Sequence, residues 1–343
     1  MRFDPFSLSL TRPLGTANGP IESREGFLVR VSANDDGEQV TGLGEATPLP
    51  GWTESLADCR AALERGDPDA TTPAARHGYS LARADAEARE TDVRLCARLA
   101  AEHGVGPSAD AVPVNATVGD DTPTETADAV REMVESGFDV VKIKVGAREP
   151  EADRARLRAA RDAAPDAELR ADANGAWGRE TAAEMLDAAA ELDYAYVEQP
   201  LPADDLTGLA ELRGCGVGVA VDETLASHAV AAVLDADAAD VLVLKPMALG
   251  GPDRTLDAAQ TARDAGVEAI VTTTIDGVVA RLGALHVAAA IPDVPACGLA
   301  TGSLLADDLA PDPAPIREGA MSVPDGPGLA GDALQALSHP GDS

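Results

Sequence analysis

The 343-residue sequence predicts a parallel (β/α) barrel preceded by a small α+β unit. From Val112 onward, short β-branched runs alternate with helical stretches rich in Ala, Asp, Glu and Arg. Eight such strands over about 190 residues favour a closed barrel. The first hundred residues lack this repeat. An open doubly wound sheet is the alternative, but no GxGxxG motif follows the first strand of the repeat.

The N-terminal unit combines strand, turn and helix signals. Gly26–Val31 and Val40–Gly44 are typical of strands, and the NDDG sequence at 34–37 predicts a turn between them. A loop punctuated by Pro and Gly, GEATPLPGW, comes next. Apolar residues at helical spacing then predict helices over Glu54–Arg65 and Leu81–Glu102.

The barrel repeat supplies its strands and helices in alternation. The strands are predicted at Pro113–Val118, Val140–Val145, Glu168–Ala173, Tyr194–Glu198, Val217–Val221, Val241–Leu244, Glu268–Thr272 and Ala296–Leu299. The helices between them include Thr124–Ser136, Ala152–Ala164, Thr181–Leu192, Ser227–Ala236 and Pro252–Ala265. We therefore expect an N-terminal domain of residues 1–110, joined by the C-terminal tail 306–343, and a barrel domain of residues 111–305.

Composition narrows the classes of function. The chain has 59 acidic and 27 basic residues and a formal net charge of −32, so repulsion opposes binding to nucleic acid or to an anionic membrane. Such an acidic chain is typical of halophilic proteins. The four cysteines form no CxxC pair, and neither a signal peptide nor an apolar stretch of about 20 residues is evident. These features favour a soluble protein of the reducing cytoplasm.

Lysine usage is the most informative count. The lysines are Lys142, Lys144 and Lys245, and the other 24 of the 27 basic residues are arginines. Arginine stays protonated in proteins, whereas a buried lysine can be tuned to act as a base. We therefore expect these three lysines to lie where that difference is used.

Ionisable residues stand at the ends of successive predicted strands. Lys144 ends the second strand and Asp172 the third, and Glu198, Asp222 and Lys245 follow at the fourth, fifth and sixth. The gaps between them are 28, 26, 24 and 23 residues. Because the carboxyl ends of barrel strands meet at the face that carries active sites, we expect the five residues to form one cluster.

The strand VVKIKVG places Lys142 and Lys144 two residues apart, so their side chains share one face. The apolar residues of this strand suit the side that packs against the helices. The side chains of both lysines are therefore expected to point into the barrel. Repulsion and desolvation should lower the pKa of at least one amine and supply a base near neutral pH. Lys245, in VLVLKP, is expected across the barrel mouth as a second acid/base or an electrostatic stabiliser.

The carboxylates of Asp172, Glu198 and Asp222 offer oxygen ligands only. None of the five histidines or four cysteines falls at a corresponding strand end. Hard oxygen donors suit Mg²⁺ better than Zn²⁺, so we expect Mg²⁺, with Mn²⁺ as a substitute ion. Without a cation, three converging carboxylates would repel one another and take up protons more readily.

The motifs KIK, DAN, EQP, DET and KP, in this order and spacing, resemble those of the enolase superfamily, in particular its muconate-cycloisomerase-like subgroup. The resemblance covers nearly the whole chain and implies a modified TIM barrel, (β/α)7β, with an N-terminal α+β capping domain. It also implies Mg²⁺ and removal of a proton α to a substrate carboxylate, which gives an enediolate. The roles it implies are Asp172, Glu198 and Asp222 as metal ligands, Lys144 as base, Lys142 as its neighbour and Lys245 on the opposite face.

Three stretches, Gly42–Ser55, Thr272–Gly277 and Gly298–Leu309, resemble the o-succinylbenzoate synthases within this superfamily. The implied reaction is a hydro-lyase step of menaquinone biosynthesis, the syn-dehydration of 2-succinyl-6-hydroxy-2,4-cyclohexadiene-1-carboxylate. The partner is thus a small-molecule carboxylate, and superfamily members commonly form homo-oligomers. Substrate contacts are expected at Asn174, Thr273, Thr274 and Asp276.

Other activities remain open on the same scaffold. In an N-acylamino-acid racemase or a dipeptide epimerase, Lys144 and Lys245 would act as acid and base on opposite faces. Dipeptide epimerases typically carry a DxD pair after the last strand, whereas this chain reads GLATGSLL there, with no acid before Asp307. Muconate cycloisomerization and a non-catalytic barrel are further alternatives. No predicted ligand or lysine position carries an inert residue, which argues against the non-catalytic barrel.

Overall fold

The computed structural model describes residues 1–14, 20–35 and 38–338, so residues 36 and 37 of the predicted NDDG turn lie outside the described residues. The strands are β1 (Arg2–Leu14), β2 (Ile21–Asp35), β3 (Glu38–Ala46), β4 (Ala111–Pro113), β5 (Ala116–Val118), β6 (Val140–Lys144), β7 (Glu168–Asp172), β8 (Tyr196–Glu198), β9 (Gly218–Val221), β10 (Val241–Leu244), β11 (Glu268–Val271), β12 (Ile316–Arg317) and β13 (Ala320–Ser322). The helices are α1 (Leu56–Arg65), α2 (Pro73–Glu90), α3 (Leu95–Glu102), α4 (Pro123–Glu135), α5 (Pro150–Ala163), α6 (Arg179–Glu191), α7 (Leu206–Leu212), α8 (Thr224–Ser227), α9 (Val230–Asp235), α10 (Pro246–Leu249), α11 (Pro252–Asp264), α12 (Val278–Ala290) and α13 (Gln335–Ser338).

The N-terminal residues form an antiparallel sheet, β1-β2-β3, against which α2 packs. Strand β1 was not predicted, because Pro5 and Pro13 interrupt its sequence pattern. Glycines on β3 allow the close approach of α2: a Cβ on Gly44 would lie 1.9 Å from the carbonyl oxygen of Gly78. The sheet and α2 thus form one side of the N-terminal unit.

Two predicted helices are wrong in extent. The pattern predicted over Leu81–Glu102 is two helices, since α2 begins at Pro73 and Asp92 takes a positive φ of 53° just after α2 ends. Proline at the first helical position is well tolerated, because its missing N–H would be unpaired there. The helix predicted over Ser227–Ala236 is likewise divided into α8 and α9.

The parallel sheet runs from β5 to β11 in sequential order within the described residues. The predicted eighth strand, Ala296–Leu299, makes isolated bridges there and not a ladder: Cys297 pairs with Val114, and Gly298 pairs with Thr272. Val114 lies two residues before β5 and Thr272 directly follows β11, so the two bridges connect the two edges of the sheet and close it. The modified (β/α)7β barrel with an N-terminal α+β unit is therefore confirmed, although its last strand is shorter than predicted.

The C-terminal tail contacts several elements. Strand β13 pairs antiparallel with β4, whereas β5 pairs with β6 of the barrel. The predicted strand Pro113–Val118 therefore contains only the last residue of β4 and the whole of β5. The backbone N–H of Leu329 donates to Asp85 on α2, and its carbonyl lies 2.7 Å from the Nε2 of His286 on α12. The domain boundaries at 110 and 305 stay a prediction. No helix in the described part of the chain is long and apolar enough to cross a membrane.

Candidate active site

Strand register brings the predicted site residues level with one another. In the parallel ladders Lys144 is the partner of Asp172, and Asp172 is the partner of Glu198. Because neighbouring strands are about 4.8 Å apart and side chains alternate between faces, these three side chains are neighbours on the inner face. Two residues earlier on the same strands, Lys142 is the partner of Arg170. The inner face therefore carries two stacked layers of charged groups.

Asp222 follows β9 and is positioned by Gln199, the residue after Glu198. The side-chain oxygen of Gln199 accepts hydrogen bonds from the backbone N–H groups of Asp222 at 3.0 Å and Thr224 at 3.1 Å. Gln199 is buried and has a positive φ of 42°, which is uncommon for a residue with a side chain. One buried amide therefore links the EQP motif to the DET motif.

Lys142 and Lys144 form a buried charge network with the carboxylates. The Nζ of Lys142 lies 3.0 Å from Asp172 Oδ2 and 2.9 Å from Glu198 Oε2. The Nζ of Lys144 lies 2.7 Å from the same Asp172 oxygen and 2.9 Å from Asn174 Oδ1. The side chain of Lys144 is 37% exposed and that of Lys142 is 15% exposed. Lys144 is therefore the amine of this pair with more access to the cavity above the network.

Lys245 reaches the site from across the barrel, because strands β7, β8 and β9 separate β10 from β6. Its Nζ lies 2.6 Å from Asp222 Oδ2 and 3.4 Å from the centroid of the Trp52 ring. An ammonium group over an indole face is attracted by the ring quadrupole. Trp52 was not predicted as a site residue, and its position in the GEATPLPGW loop is the feature of the sequence that could have indicated it.

Burial and neighbouring charges set the protonation of the carboxylates. Burial, reinforced by the charge of Asp172, raises the pKa of Glu198 to about 7. Burial also raises the pKa of Asp222 to about 6, even beside an ammonium group. At Asp172 burial acts in the same direction, but the two adjacent ammonium groups outweigh it and hold the pKa well below its usual range.

The lowered pKa that was expected for at least one of the two lysines is not found at Lys142. Burial does lower its pKa, but the carboxylates of Asp172 and Glu198 outweigh burial and raise it well above the ordinary value. The second ammonium group was expected to have the main effect on this pKa, whereas strand register places two carboxylates within 3.0 Å of the Lys142 Nζ. Lys142 is thus a stable cation, and Lys144 is the candidate base of the pair.

The donor set suits a hard divalent cation. Asp172, Glu198 and Asp222 are buried, follow adjacent strands and offer oxygen only. The Oδ1 of Asp222 is buried and has no hydrogen-bond partner among the described residues, and a cation would satisfy such an acceptor. As placed, no three His, Cys, Asp or Glu side chains of the described ranges form a group that could hold an ion. The ammonium group of Lys142 lies between two of the carboxylates, and metal binding by the three residues stays a prediction.

A cavity of about 660 Å³ lies above this network. Three of the predicted substrate-contact residues, Asn174, Thr273 and Thr274, line it. Asp276 does not: its carboxylate accepts hydrogen bonds from the backbone N–H and the hydroxyl of Thr274 and lies 3.8 Å from Arg24. The structure therefore brings together all the predicted charged residues except Asp276, whose side chain is turned into its own loop.

Known proteins resemble this chain in both sequence and fold. Residues 125–333 match a family model described as Enolase C-terminal domain-like. An o-succinylbenzoate synthase from Thermobifida fusca is 40% identical over 243 residues, 67% of this chain and 74% of that protein. A chloromuconate cycloisomerase from Cupriavidus necator is 29% identical over 283 residues, 81% of this chain and 75% of that protein. The crystal structure of a dipeptide epimerase from Enterococcus faecalis, complexed with Mg and the dipeptide L-Leu-L-Tyr, is similar with a TM-score of 0.85 and 25% identity, covering 96% of this chain and 98% of that one.

Proposed function

Because this chain belongs to the Enolase C-terminal domain-like family and is an enzyme of the enolase superfamily, we propose that it is a Mg²⁺-dependent o-succinylbenzoate synthase. The reaction is the syn-dehydration of 2-succinyl-6-hydroxy-2,4-cyclohexadiene-1-carboxylate in menaquinone biosynthesis. The relative from Thermobifida fusca supports this assignment through its sequence identity and coverage.

The observation that carries the proposal is that two amines on opposite sides of one cavity differ in their exposure and in their contacts. Lys144 has a side chain that is 37% exposed, while Lys245 is 11% exposed and lies between Trp52 and Asp222. A syn-dehydration moves the proton on one face only, so a single accessible amine is enough. The second amine then needs only to contribute positive charge.

The proton steps are assigned to Lys144. Its neutral amine takes the proton α to the substrate carboxylate, and the resulting ammonium group gives a proton to the departing hydroxyl. The electron pair of the broken C–H bond first moves onto the carboxylate and gives an enediolate. It then returns to form the new ring double bond as the C–O bond breaks, so that water leaves and the ring becomes aromatic. Lys245 stabilises the negative charge that develops on the carboxylate without moving a proton.

Mg²⁺ held by Asp172, Glu198 and Asp222 would supply the positive charge that makes the α-proton sufficiently acidic. Lys142 holds two of these carboxylates in place through its contacts of 2.9 and 3.0 Å. Mn²⁺ is proposed as a substitute ion because it accepts the same oxygen donors.

The test is a direct assay of the purified chain with the cyclohexadiene substrate, followed by the absorbance of the aromatic product, with Mg²⁺ and after chelation. A panel of N-succinylamino acids is assayed in parallel for racemization. We expect rapid, Mg²⁺-dependent dehydration. Racemization of the panel without any dehydration would overturn the proposal.

A racemase or epimerase is the second candidate, because Lys144 and Lys245 line the same cavity from opposite sides of the barrel. Such an arrangement allows one amine to remove the α-proton and the other to return it on the opposite face. The similarity to a dipeptide epimerase structure is in line with this activity. Exchange of the α-proton of an N-succinylamino acid in D₂O, with loss of optical rotation, would detect it.

A further inference from the structure

A buried carboxylate of the N-terminal sheet holds the start of a barrel helix. Glu45 on β3 is fully buried, and its Oε1 accepts the N–H of Gly277 at 2.7 Å while its Oε2 accepts the N–H of Ala280 at 2.9 Å. The hydroxyl of Thr47 donates to Oε1 at 2.6 Å. The first N–H groups of a helix have no partner within the helix, so Glu45 supplies to α12 the acceptor that its own N-cap, a glycine, cannot.

A buried guanidinium of the same sheet holds the loop just before that helix. Arg24 on β2 donates from Nε to the carbonyl of Ile275 at 3.2 Å and lies 3.8 Å from the carboxylate of Asp276. Its other nitrogens donate to the carbonyls of Thr47 and Pro48 at 2.9 and 3.1 Å. The loop of residues 272–277, which follows β11, is thus fixed from the N-terminal sheet at two successive residues.

The residue held in this way has an unfavourable backbone. Ile275 has a φ of 60°, a left-handed conformation that a β-branched side chain rarely adopts. Such a conformation costs free energy and persists when the surrounding contacts determine it. The hydrogen bond from Arg24 to the carbonyl of Ile275, and the hydrogen bond that Glu45 accepts from the N–H of Gly277 two residues later, are contacts of that kind.

Ile275 stands where two cavities meet. One is the 660 Å³ cavity above the carboxylates, and the other, of about 560 Å³, is lined largely by apolar side chains that include Met133, Phe138 and Leu304. Ile275 lines both cavities, as do Lys144 and the other lysine of its strand. The two cavities also share Thr272, so a substrate whose carboxylate lies in the first cavity would pass between Ile275 and the lysines to place a side arm in the second.

We propose that Arg24 and Glu45 are positioning residues which hold Ile275 as the partition between the two halves of the active site, and that this partition determines which side arm the substrate can carry. The inference rests on the proposed function, because it takes the charged cavity as the reacting half. Arg24 and Glu45 touch no reacting atom, so they act on binding of the arm and not on the proton steps.

The test replaces Glu45 while keeping its shape. Glu45→Gln replaces one carboxylate oxygen by an NH₂ group, which cannot accept a hydrogen bond from the helix N–H donor that it faces. Loss of a charge-assisted hydrogen bond should speed amide hydrogen exchange at Gly277 and Ala280 by at least about tenfold. Because the arm contributes equally to binding in the ground and transition states, KM for the cyclohexadiene substrate should rise about tenfold while kcat changes less than about threefold. Glu25→Gln, an exposed carboxylate on the same strand as Arg24, is the matched control and should change neither quantity.

Two further variants separate positioning from general stability. Gly277→Ala keeps the charge of Glu45 but places a Cβ 2.9 Å and 3.1 Å from its two carboxylate oxygens, and it should raise KM as Glu45→Gln does, even if Glu45→Gln does not fold. Ile275→Ala removes the partition itself and should also raise KM. Adding Glu45→Gln to Ile275→Ala should then raise KM by less than about threefold more, because both changes act through one side chain.

Some results would overturn the inference. Faster exchange in Glu45→Gln with an unchanged KM would leave Glu45 with a purely structural role. Losses that multiply in the double variant would show that Glu45 does not act through Ile275. If the wild type does not turn over the cyclohexadiene substrate, the proposed function fails separately. The affinities of the chain for N-succinyl- and N-acetylamino acids would then be measured in place of KM. If Ile275→Ala leaves the ratio of these two affinities unchanged, Ile275 is not the partition.

Discussion

Lys144→Arg removes a proton acceptor while it keeps the positive charge of the site. The Nζ of Lys144 lies 2.7 Å from Asp172 Oδ2, and a guanidinium can make the same ion pair. Arginine stays protonated, so the variant loses the base and little else. General acid–base catalysis contributes about 10²- to 10⁴-fold. We therefore expect kcat for dehydration to fall by that factor, which corresponds to about 3–5 kcal/mol in the activation barrier.

The assay is the steady-state rate of aromatic product formation at saturating Mg²⁺ and substrate. Arg83→Lys, a charge-preserving exchange at a side chain that is 62% exposed on α2, serves as the control and should leave kcat unchanged. The unfolding midpoint and the Mg²⁺ affinity of Lys144→Arg should stay close to those of the wild type. A kcat within threefold of the wild type, with folding intact, would refute the assignment of Lys144 as the base.

Three other predictions follow from the same structure. Lys245→Arg keeps a positive charge beside Trp52 and Asp222, so the rate of dehydration should fall less than about tenfold. The rate of racemization of N-succinylamino acids should fall about 10²-fold or more, because that reaction needs a proton from Lys245. Equal losses of the two rates would remove the distinction between the roles of the lysines. Burial lowers the pKa of His286 to about 4. Below pH 6.5, the ordinary pKa of histidine, the unfolded chain therefore binds a proton that the folded chain does not, and the free energy of unfolding decreases as the pH is lowered. Between pH 7.5 and 5.5 the free energy of unfolding of the wild type, measured in urea, should therefore fall by about 1 kcal/mol more than that of His286→Gln. The variant is needed as a reference because burial raises the pKa of Glu198 and of other carboxyls, whose effect on stability has the opposite sign. Identical losses in the two proteins would contradict the lowered pKa of His286. A net charge of −32 favours expansion, so the thermal midpoint should rise steadily from 0.1 to about 2 M KCl, and a midpoint independent of salt would contradict the halophilic assignment.

The barrel and the location of its charged residues could be predicted because both depend on local pattern. Each parallel strand is a short β-branched run, and the residue at its carboxyl end falls on the same rim whatever the exact bounds of the helices. The regular spacing of these residues in the sequence corresponds to the strand register, which pairs Lys144 with Asp172, and Asp172 with Glu198. The last strand was overestimated because two single bridges at Cys297 and Gly298 are enough to close the sheet.

Contacts between distant segments could not be predicted in the same way. Trp52 lies over Lys245, and Glu45 binds the N-terminus of α12, through packing of the N-terminal sheet against the barrel. No local pattern records these pairs. The raised pKa of Lys142 could not be predicted for the same reason, since the carboxylates that raise it come from two neighbouring strands. Asp276 was predicted to contact the substrate because it is charged, but its carboxylate accepts a hydrogen bond within its own loop and forms an ion pair with Arg24.

The most direct measurement is the anomalous scattering of a crystal grown with Mn²⁺ and with a carboxylate product bound. We predict a single manganese peak at about 2.1 Å from an oxygen of each of Asp172, Glu198 and Asp222, with the Nζ of Lys144 facing the product. A peak held by other side chains, or no peak in a fully active crystal, would contradict the account.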